Sequence, residues 1–343
     1  MKYTQKINRS WLWTHPNQIA YETTSIPEPG SEDVLVHVRA VGVCGTDLGI
    51  LNGKNPNAKP PLPLGHEIAA QVVTCGEKVT MLKPGDRVFL DPYIGCGHCE
   101  ACRAGNKTYC TGGGRHLGIH IPGGWQEYLA LPERNCYIIP ENLGYLEASQ
   151  AETIYTVMSG IMRLTVKIGS SALVIGDGPT GVLFARLLQL AGCTHVTMAG
   201  HHLERLELAK KWGTNQTVYT KATSLESALD TSLFDVTVDT VGSQTAIDQV
   251  VKYAAPGGQV ILFGIPSEGK PLAVDVMTVV MRGVGLLGAT DNPFAWPAVT
   301  NILSSGVLQV KDMFTAVFPF DRLPEAVEAA RSKNTVKIII SNE

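Results

Sequence analysis

The sequence predicts a protein of the α/β plus β class, in which a β-rich domain is followed by a parallel sheet flanked by helices. Three observations predict this fold. The chain has 343 residues, about the length of two domains. Roughly its first 150 residues carry short β-type runs that Gly and Pro interrupt. From Ala172 onwards, short apolar strands alternate with helical stretches.

The composition is that of a folded globular protein. Hydrophobic residues make up 44% of the chain and charged residues 17%, which is enough apolar side chain to build sizeable cores. The net charge is −3, from 28 Lys and Arg against 31 Asp and Glu. Because the sequence shows no basic stripe, no nucleic-acid partner is expected.

The sequence also carries no export or membrane signal. The N-terminal segment lacks the apolar region that a secretory signal needs. The most apolar stretch, residues 171–192, is interrupted by Asp177, Pro179 and Arg186, so no membrane span is expected. We therefore expect a cytoplasmic protein, in which the eight cysteines are thiols or metal ligands rather than disulfides.

The β-rich part is predicted from four short runs bounded by turn residues. Residues 34–38 (VLVHV) alternate between apolar and polar side chains, and they are followed by residues 68–74 (IAAQVVT), 87–90 (RVFL) and 127–131 (EYLAL). Short strands with frequent turns predict an antiparallel, barrel-like unit.

The alternating part contains five apolar strands, at residues 172–176, 195–199, 216–220, 235–240 and 259–264. A helical stretch follows each of the first four, which predicts a parallel sheet with helices on both faces. After Asp291 the alternation stops. Residues 292–306 are predicted to be helical, and residues 336–341 (VKIIIS) are predicted to form a last strand.

Four cysteines stand within 15 residues in the pattern C-x-x-C-x-x-C-x7-C, at Cys96, Cys99, Cys102 and Cys110. Two-residue gaps let a tight loop direct successive sulfurs at one point, as a tetrahedral zinc held by four thiolates requires. A disulfide pair fits the expected cytoplasm poorly, and an iron–sulfur cluster usually has a different spacing and a following Pro. The pattern therefore predicts a structural zinc site without an open position.

Two shorter motifs precede this cluster. Cys44-Gly45-Thr46-Asp47 and Gly65-His66-Glu67 are each weak alone, because a lone Cys or His is more often part of a core or a loop. Together they offer a thiol, an imidazole and a carboxylate, the mixture that a catalytic zinc takes. His66 and Glu67 are neighbours and can converge only in a turn, which Gly65 allows.

A nucleotide-binding motif follows the first strand of the alternating part. It has the pattern G-x-G-x-x-G, formed by Gly176-Asp177-Gly178-Pro179-Thr180-Gly181, and it opens an apolar helix. In this strand-turn-helix context the glycines allow a pyrophosphate to approach the helix N-terminus, where free N–H groups favour anions. A plain Gly-rich turn is the alternative.

The end of the second strand selects the cofactor in such domains. NAD enzymes usually carry an Asp or Glu there, which accepts hydrogen bonds from the ribose hydroxyls. Here the position is Gly200, followed by His201, His202 and Arg205. Since an acid is missing from this position and donor groups are present, the sequence favours NADP over NAD. The alternative is that both histidines merely lie at an exposed helix start.

Taken in this order over nearly the whole chain, these motifs resemble those of the medium-chain zinc-dependent dehydrogenases, in the branch of sorbitol, other polyol and threonine dehydrogenases. The resemblance implies a GroES-like β-barrel catalytic domain in residues 1–153 and a Rossmann-type domain in residues 154–290. Residues 291–343 would return to the catalytic domain. A homodimer or homotetramer would be usual for such a protein.

The resemblance also implies roles for single residues. The branch typically carries a third zinc ligand 24 residues before the first fingerprint Gly, and this position is Glu152, although Thr153 replaces the Pro that often follows. Cys44, His66 and Glu152 would then hold the catalytic zinc, and Glu67 would exchange with the bound water or join the shell. Two zinc ions per chain are therefore expected, one catalytic and one structural.

Three further features follow from the same resemblance. Thr46 would pass the alcohol proton outward, but Gly49 stands where many relatives carry a His that extends this relay. NADP-dependent members also show Gly at the position of Gly200. The segments around Val241, Gly264 and Ile265 resemble those that lie close to the nicotinamide.

The predicted activity is hydride transfer between a nicotinamide cofactor and a small-molecule alcohol or carbonyl, such as a polyol, a sugar alcohol or a secondary alcohol. The sequence does not select among these substrates. Two alternatives remain open. One is a zinc-independent quinone or enoyl reductase on the same scaffold, which would not need Cys44, His66 and Glu152. The other is a nucleotide-binding zinc protein whose catalytic site has decayed.

Overall fold

The computed structural model describes residues 7–266, 271–332 and 334–342. They form two compact units. The first contains the residues up to Thr153 together with those from Trp296 onwards, and the second contains Ile154–Ala295.

The strands are β1 (Ile7–His15), β2 (Gln18–Ser25), β3 (Asp33–Val43), β4 (Leu62–Pro63), β5 (Glu67–Cys75), β6 (Arg87–Leu90), β7 (Tyr93–Ile94), β8 (Arg115–His116), β9 (Tyr128–Pro132), β10 (Cys136–Ile138), β11 (Ser171–Ile175), β12 (His195–Gly200), β13 (Gln216–Tyr219), β14 (Phe234–Asp239), β15 (Ala254–Leu262), β16 (Gly285–Gly288), β17 (Phe314–Pro319) and β18 (Lys337–Ser341). The α-helices are α1 (Gly45–Leu51), α2 (Glu100–Arg103), α3 (Tyr145–Ala148), α4 (Ala151–Ile161), α5 (Pro179–Leu190), α6 (Leu203–Lys211), α7 (Leu225–Leu229), α8 (Gln244–Lys252), α9 (Val276–Arg282), α10 (Trp296–Ser305) and α11 (Leu323–Ala330).

The first unit is built on a seven-stranded sheet in the order β10-β6-β5-β3-β18-β17, with β9 also paired to β3. All of these pairs are antiparallel except β17 with β18. Smaller sheets are formed by β2-β1-β4 and by β7-β8. The antiparallel character predicted for the β-rich part is confirmed, and the predicted last strand is β18.

Strand β3 is central to this sheet because it pairs with β5, β9 and β18. Its register places Gly42 opposite Glu67 of β5 on one side and opposite Ile339 of β18 on the other. Residues that are far apart in the sequence therefore meet at the end of β3, where Cys44 follows. The core beside this point contains fully buried Leu64, Ile68 and Trp125.

The second unit is a six-stranded parallel sheet in the order β13-β12-β11-β14-β15-β16. Its central strands are continuous apolar runs, because helices cover a parallel sheet on both faces. Leu173, Val174 and Val238, for example, are fully buried. The strand order reverses between β11 and β14, which is where ligands bind in open α/β sheets. The predicted parallel sheet is confirmed.

A representative helix shows how this unit closes on its sheet. Helix α8 is capped by Ser243, whose hydroxyl oxygen accepts a hydrogen bond from the N–H of Ala246. It buries Ala246, Ile247, Val250 and Val251 on one face, as an amphipathic surface helix does. Throughout the described ranges, every helix is too short or too polar to cross a membrane.

Candidate active site and zinc centres

The four clustered cysteines converge as their spacing predicts. The Sγ atoms of Cys96, Cys99, Cys102 and Cys110 all lie within 4.8 Å of one another. The Cys96–Cys102 and Cys99–Cys110 sulfur pairs are 4.0 Å and 3.9 Å apart. Four sulfurs about 2.3 Å from a tetrahedral zinc would stand about 3.8 Å apart, so the site fits this metal. All eight cysteines of the chain are free.

Backbone N–H groups lower the pKa of two of the four thiols, Cys99 and Cys110, whereas burial raises the pKa of the Cys102 thiol to about 11. The N–H of Cys96 donates to Cys110 Sγ, and the N–H of Cys99 donates to Cys96 Sγ. Backbone N–H groups of Cys102 and Thr111 lower the pKa of the Cys99 thiol to about 5. A Cβ at Gly112 would lie 2.6 Å from Cys96 Sγ, so a glycine is needed for the loop to approach the cluster.

The second group of candidate metal ligands lies at the end of β3. Cys44 is the N-cap of α1, His66 lies between β4 and β5, and Glu67 is the first residue of β5. One ligand atom from each residue lies within 4.8 Å of those of the other two. Gly65 has a φ of +83°, and a Cβ there would lie 2.6 Å from Trp125 Cδ1. This glycine turn makes it possible for His66 and Glu67 to converge.

Asp47 ties the two short motifs together. Its Oδ2 accepts the N–H of Cys44 at 2.9 Å and its Oδ1 accepts the N–H of Gly65 at 3.1 Å. Oδ1 also lies 3.4 Å from His66 Nδ1. Burial alone would lower the pKa of His66, but the charges of Asp47 and Cys44 outweigh it and raise that pKa. A carboxylate at Nδ1 orients the ring and leaves Nε2 for a metal, as in many zinc sites.

Glu67 is held by a buried cation from the other end of the chain. Its Oε1 accepts hydrogen bonds from Lys337 Nζ at 2.5 Å and from the Thr153 hydroxyl at 2.9 Å. The side chains of Lys337 and Glu67 are 3% and 0% exposed. Burial would lower the pKa of Lys337, but the charges of Glu67 and Cys44 raise it. The ammonium group therefore stays charged beside the candidate zinc ligands.

A missing side chain on β3 makes room for this carboxylate. A Cβ at Gly42 would lie 1.9 Å from Glu67 Oε2 and 2.9 Å from Gln150 Nε2. Glu67 Oε2 is buried and makes no hydrogen bond of its own. A thiol, an imidazole and a carboxylate oxygen that still lacks a partner are the donor set of a mixed zinc site, so these residues fit zinc.

Three other positions were predicted to belong to this centre, namely Glu152, Thr46 and Gly49. Glu152 lies in the first turn of α4, is 8% exposed, and its charge acts on Lys337. It does not belong to the group formed by Cys44, His66 and Glu67, so its role as a ligand stays a prediction. Thr46 is half-buried in α1. A Cβ at Gly49 would meet no atom within 4 Å, so the missing relay His leaves open space.

A second histidine packs against the first. The rings of His116 and His66 meet edge to face with centroids 5.5 Å apart. Burial lowers the pKa of His116 to about 3. Its Nδ1 lies 2.7 Å from the carbonyl oxygen of Leu117, and because a carbonyl only accepts, Nδ1 carries the proton. His116 is therefore a neutral imidazole beside the metal ligands.

The glycine fingerprint in the second unit has the geometry that its pattern predicts. Gly176 has a φ of +109°, Gly178 is the N-cap of α5, and Pro179 is its first residue, followed by Thr180. A Cβ at Gly181 would lie 2.0 Å from the carbonyl oxygen of Gly176, so this glycine allows close packing of helix and strand. A Cβ at Gly178 would meet no atom within 4 Å, which leaves the N-terminus of α5 open to an anion.

A carboxylate from the loop after β11, that of Asp177, lies at the end of β12, although Gly200 at that end has no side chain. Asp177 Oδ2 accepts the N–H groups of His201 and His202, both at 2.6 Å, and Oδ1 lies 2.9 Å from His202 Nδ1. Arg205 Nη1 lies 3.8 Å from Oδ1. A Cβ at Gly200 would lie 2.4 Å from both Cβ and Oδ2 of Asp177. A carboxylate from the glycine loop thus lies beside position 200, where the donors of this turn hold it.

The segments predicted to lie near the nicotinamide meet at the ends of β14 and β15. A Cβ at Gly264 would lie 2.1 Å from the N of Gly242 and 2.5 Å from the carbonyl carbon of Val241. Asp239 Oδ1 accepts the N–H of Val241, which holds this turn. Ile265 follows and is 87% exposed. The two turns therefore form one surface beside the fingerprint, since a Cβ at Gly176 would lie 2.9 Å from Val241 Cγ2.

Sequence reasoning gave no role to Asp47, Asp177 or Lys337. Asp47 ends the Cys44-Gly45-Thr46-Asp47 motif and Asp177 is the second residue of the glycine fingerprint. Their places in these motifs could have indicated that both carboxylates lie at the sites. Lys337 lies 270 residues from Glu67, and a single Lys at the start of an apolar strand carries no signal of an ion pair.

Known proteins resemble this chain over nearly its whole length. Residues 30–141 match the alcohol dehydrogenase GroES-like domain, and residues 179–303 match the zinc-binding dehydrogenase family. L-threonine 3-dehydrogenase from Alteromonas mediterranea is 30% identical, with 93% of this chain and 95% of the relative covered. The enzyme of the same name from Caldanaerobacter subterraneus is 31% identical, with 92% and 93% covered.

Solved structures agree. A zinc-binding dehydrogenase from Sinorhizobium meliloti, bound to NADP, has a TM-score of 0.92 and 29% identity, covering 98% of this chain and 100% of its own. An alcohol dehydrogenase from Escherichia coli CFT073, in complex with NADH, has a TM-score of 0.92 and 26% identity with the same coverage. These matches confirm the predicted fold class, resemblance and enzyme class. The chain belongs to the zinc-dependent medium-chain alcohol dehydrogenase family, in its threonine- and polyol-dehydrogenase-like branch, and is a nicotinamide-dependent oxidoreductase.

Proposed function

We propose that the protein interconverts a polyol, sugar alcohol or secondary alcohol with its carbonyl product at a zinc held by Cys44, His66 and Glu152. The observation that carries this proposal is the convergence of Cys44, His66 and Glu67, in which Asp47 ties the Cys44 and Gly65 backbones together. Glu152 would be the third ligand, and Glu67 would exchange with the bound water or join the shell. A zinc-independent reductase has no need of such a donor set, and a decayed site would not be expected to retain it.

Zinc, when bound, supplies Lewis acidity that stabilises the negative charge developing on the alcohol oxygen. The nicotinamide supplies the hydride acceptor or donor. The residues of the chain orient the zinc-site side chains and neutralise their charges. Asp47 fixes the ring of His66, and Lys337 and Thr153 hold Glu67 Oε1 in a buried setting. The Thr46 hydroxyl would accept the alcohol proton and pass its own proton on to water or to a ribose hydroxyl of the cofactor, because no His stands at position 49 to extend the relay.

We further propose two zinc ions per chain, the second held by Cys96, Cys99, Cys102 and Cys110. Four thiolates leave no position for substrate, so this ion stabilises its loop. Because zinc thiolate sites persist under reducing conditions, the same cluster supports a cytoplasmic location.

We propose NADP as the preferred cofactor. Its 2′-phosphate would lie at Gly200, beside the backbone N–H groups of His201 and His202 and the side chains of His202 and Arg205, all of which face Asp177 in this structure. The Sinorhizobium meliloti structure was solved with NADP, and the Escherichia coli one with NADH, so the choice needs a direct measurement.

A homodimer is the assembly that we propose. Strand β16 ends the parallel sheet, and within the described ranges its outer edge has no partner strand. Helix α9, just before it, exposes Val276, Met277, Val280 and Met281 by 66–75%. An open sheet edge and a set of exposed apolar side chains each favour contact with a second copy of the chain. Light scattering should give twice 36.8 kDa, and Val280→Glu should reduce this mass to that of a monomer.

Paired zinc-site variants test the catalytic proposal. His66→Asn should lose one zinc per chain and all turnover, because the imidazole is a ligand of the reacting ion. Cys99→Ser should lose the other zinc and destabilise the fold. Metal analysis with rates of cofactor reduction measures both effects. Full turnover in His66→Asn would rule out this site as the catalytic centre.

A further inference from the structure

The turn between β12 and α6 binds the carboxylate of Asp177, a side chain of the same protein. Asp177, which is 6% exposed, receives the backbone N–H groups of His201 and His202 and the imidazole of His202, with the guanidinium of Arg205 at 3.8 Å. Because a carboxylate only accepts, His202 Nδ1 is the donor in this contact. Three hydrogen-bond donors, two from the backbone and one from a side chain, therefore converge on one negative charge, and a guanidinium lies within ion-pair distance of it.

These donors are the ones that the proposed function assigns to the 2′-phosphate of NADP. The carboxylate shows that the turn can bind an anion, and it also occupies the site. A phosphate could not use these N–H groups while Asp177 holds them, and two anions at this distance would repel each other. Gly200 makes the arrangement possible, since any Cβ there would collide with Asp177.

We propose that Asp177 limits the preference for NADP over NAD, because its carboxylate competes with the 2′-phosphate for the same donors. NAD has no 2′-phosphate and leaves the carboxylate in place, whereas NADP must displace it. The inference rests on the proposed placement of the adenosine ribose at Gly200. It assigns to the second residue of the fingerprint a role that its pattern does not imply.

The test is a fluorescence titration of the zinc-loaded full-length protein with NADPH and with NADH, in the absence of substrate. Asp177→Ala frees all the donors, and Asp177→Asn removes the charge while keeping an oxygen for the two N–H groups. Because hydrogen bonds to a charged group are the strong ones, both variants should bind NADPH roughly tenfold tighter or more. The dissociation constant for NADH should change by less than about twofold.

Asp235→Asn is the matched control. Asp235 is an exposed acid of the same unit that accepts hydrogen bonds from Ser171, so its replacement removes the same charge far from the turn in sequence. It should leave both dissociation constants unchanged. Retained NADH binding in the Asp177 variants shows that they are folded. NADPH binding that is unchanged or weaker in both variants would overturn the competition.

A second pair of variants separates this inference from the function beneath it. Arg205→Ala and His202→Ala should weaken NADPH binding and spare NADH binding. If these two variants bind NADPH more weakly while the Asp177 variants bind it like the wild type, Asp177 does not compete with the 2′-phosphate, and the placement of the ribose at Gly200 still stands. If neither variant affects NADPH binding, the ribose placement fails and the inference fails with it.

Discussion

Replacing Lys337 by Met should destabilise the first unit more than any surface change, because it leaves a carboxylate buried without its cation. Lys337 Nζ and Glu67 Oε1 are 2.5 Å apart, and both side chains are almost fully buried. Removing one partner of such a pair typically costs about 3–5 kcal/mol. Total stabilities are only about 5–15 kcal/mol, so this loss should be plain in an unfolding curve.

Urea unfolding followed by tryptophan fluorescence measures this loss, since four of the five tryptophans lie in the first unit. Lys337→Met should lower the free energy of unfolding by about 3–5 kcal/mol. The double variant Glu67→Gln with Lys337→Met should recover part of it, because no charge is then left unpaired. A cycle of these variants yields the coupling energy directly.

Two results would refute this reasoning. A loss below about 1 kcal/mol in Lys337→Met would place the pair in the range of exposed ion pairs. Strictly additive effects of the two substitutions would show that Lys337 and Glu67 do not interact. Arg322→Met is a suitable control, because this Arg forms an exposed ion pair with Glu325 and should cost less than about 1 kcal/mol.

Three further predictions concern the same unit. Gly42→Ala places a Cβ 1.9 Å from Glu67 Oε2, so it should lower the free energy of unfolding by about 1–3 kcal/mol and also lower the zinc content. Gly49→Ala is the control, because its Cβ would meet open space, and it should change neither quantity in unfolding and metal assays. Asp47→Asn removes the charge that orients the zinc-site imidazole, so competition with a chelator should show about 10–100-fold weaker zinc binding; unchanged affinity would contradict the assigned role. Burial lowers the pKa of His37 from 6.5 to about 4, so the unfolded chain takes up this proton first and stability is lost as pH falls from 6.5 to about 4. Because the His37 ring is partly exposed, solvent screens part of this effect, and His37→Gln should remove about 1–2 kcal/mol of that acid-dependent loss in unfolding curves at these pH values. Equal pH profiles would contradict it.

The local parts of the fold and of the site could be predicted from the sequence. The four cysteines lie within 15 residues and the fingerprint glycines within six, so their spacing predicts that each set meets locally, as the sulfur distances and the φ of Gly176 show. The parallel sheet follows from strands that alternate with helices. Gly65 indicated a turn that would bring His66 and Glu67 together, and its φ of +83° shows that turn.

The remaining features depend on strand register, which the sequence does not specify. Lys337 reaches Glu67 only because β18 pairs with one edge of β3 and β5 with the other. Asp177 lies next to Gly200 because the loop after β11 runs beside the end of β12, where Gly200 leaves space for a side chain from that loop. Such contacts are properties of packing rather than of motifs.

The most direct test of the central claim is the rate of cofactor reduction with NADP and with NAD, measured with polyols, sugar alcohols, secondary alcohols and L-threonine before and after zinc chelation. We expect turnover of at least one alcohol by protein that holds about two zinc ions per chain. This turnover should be lost when the zinc at Cys44, His66 and Glu152 is removed and should return when zinc is restored. Undiminished turnover by zinc-free protein would contradict the account, because Cys44, His66 and Glu152 would then not form the reacting centre.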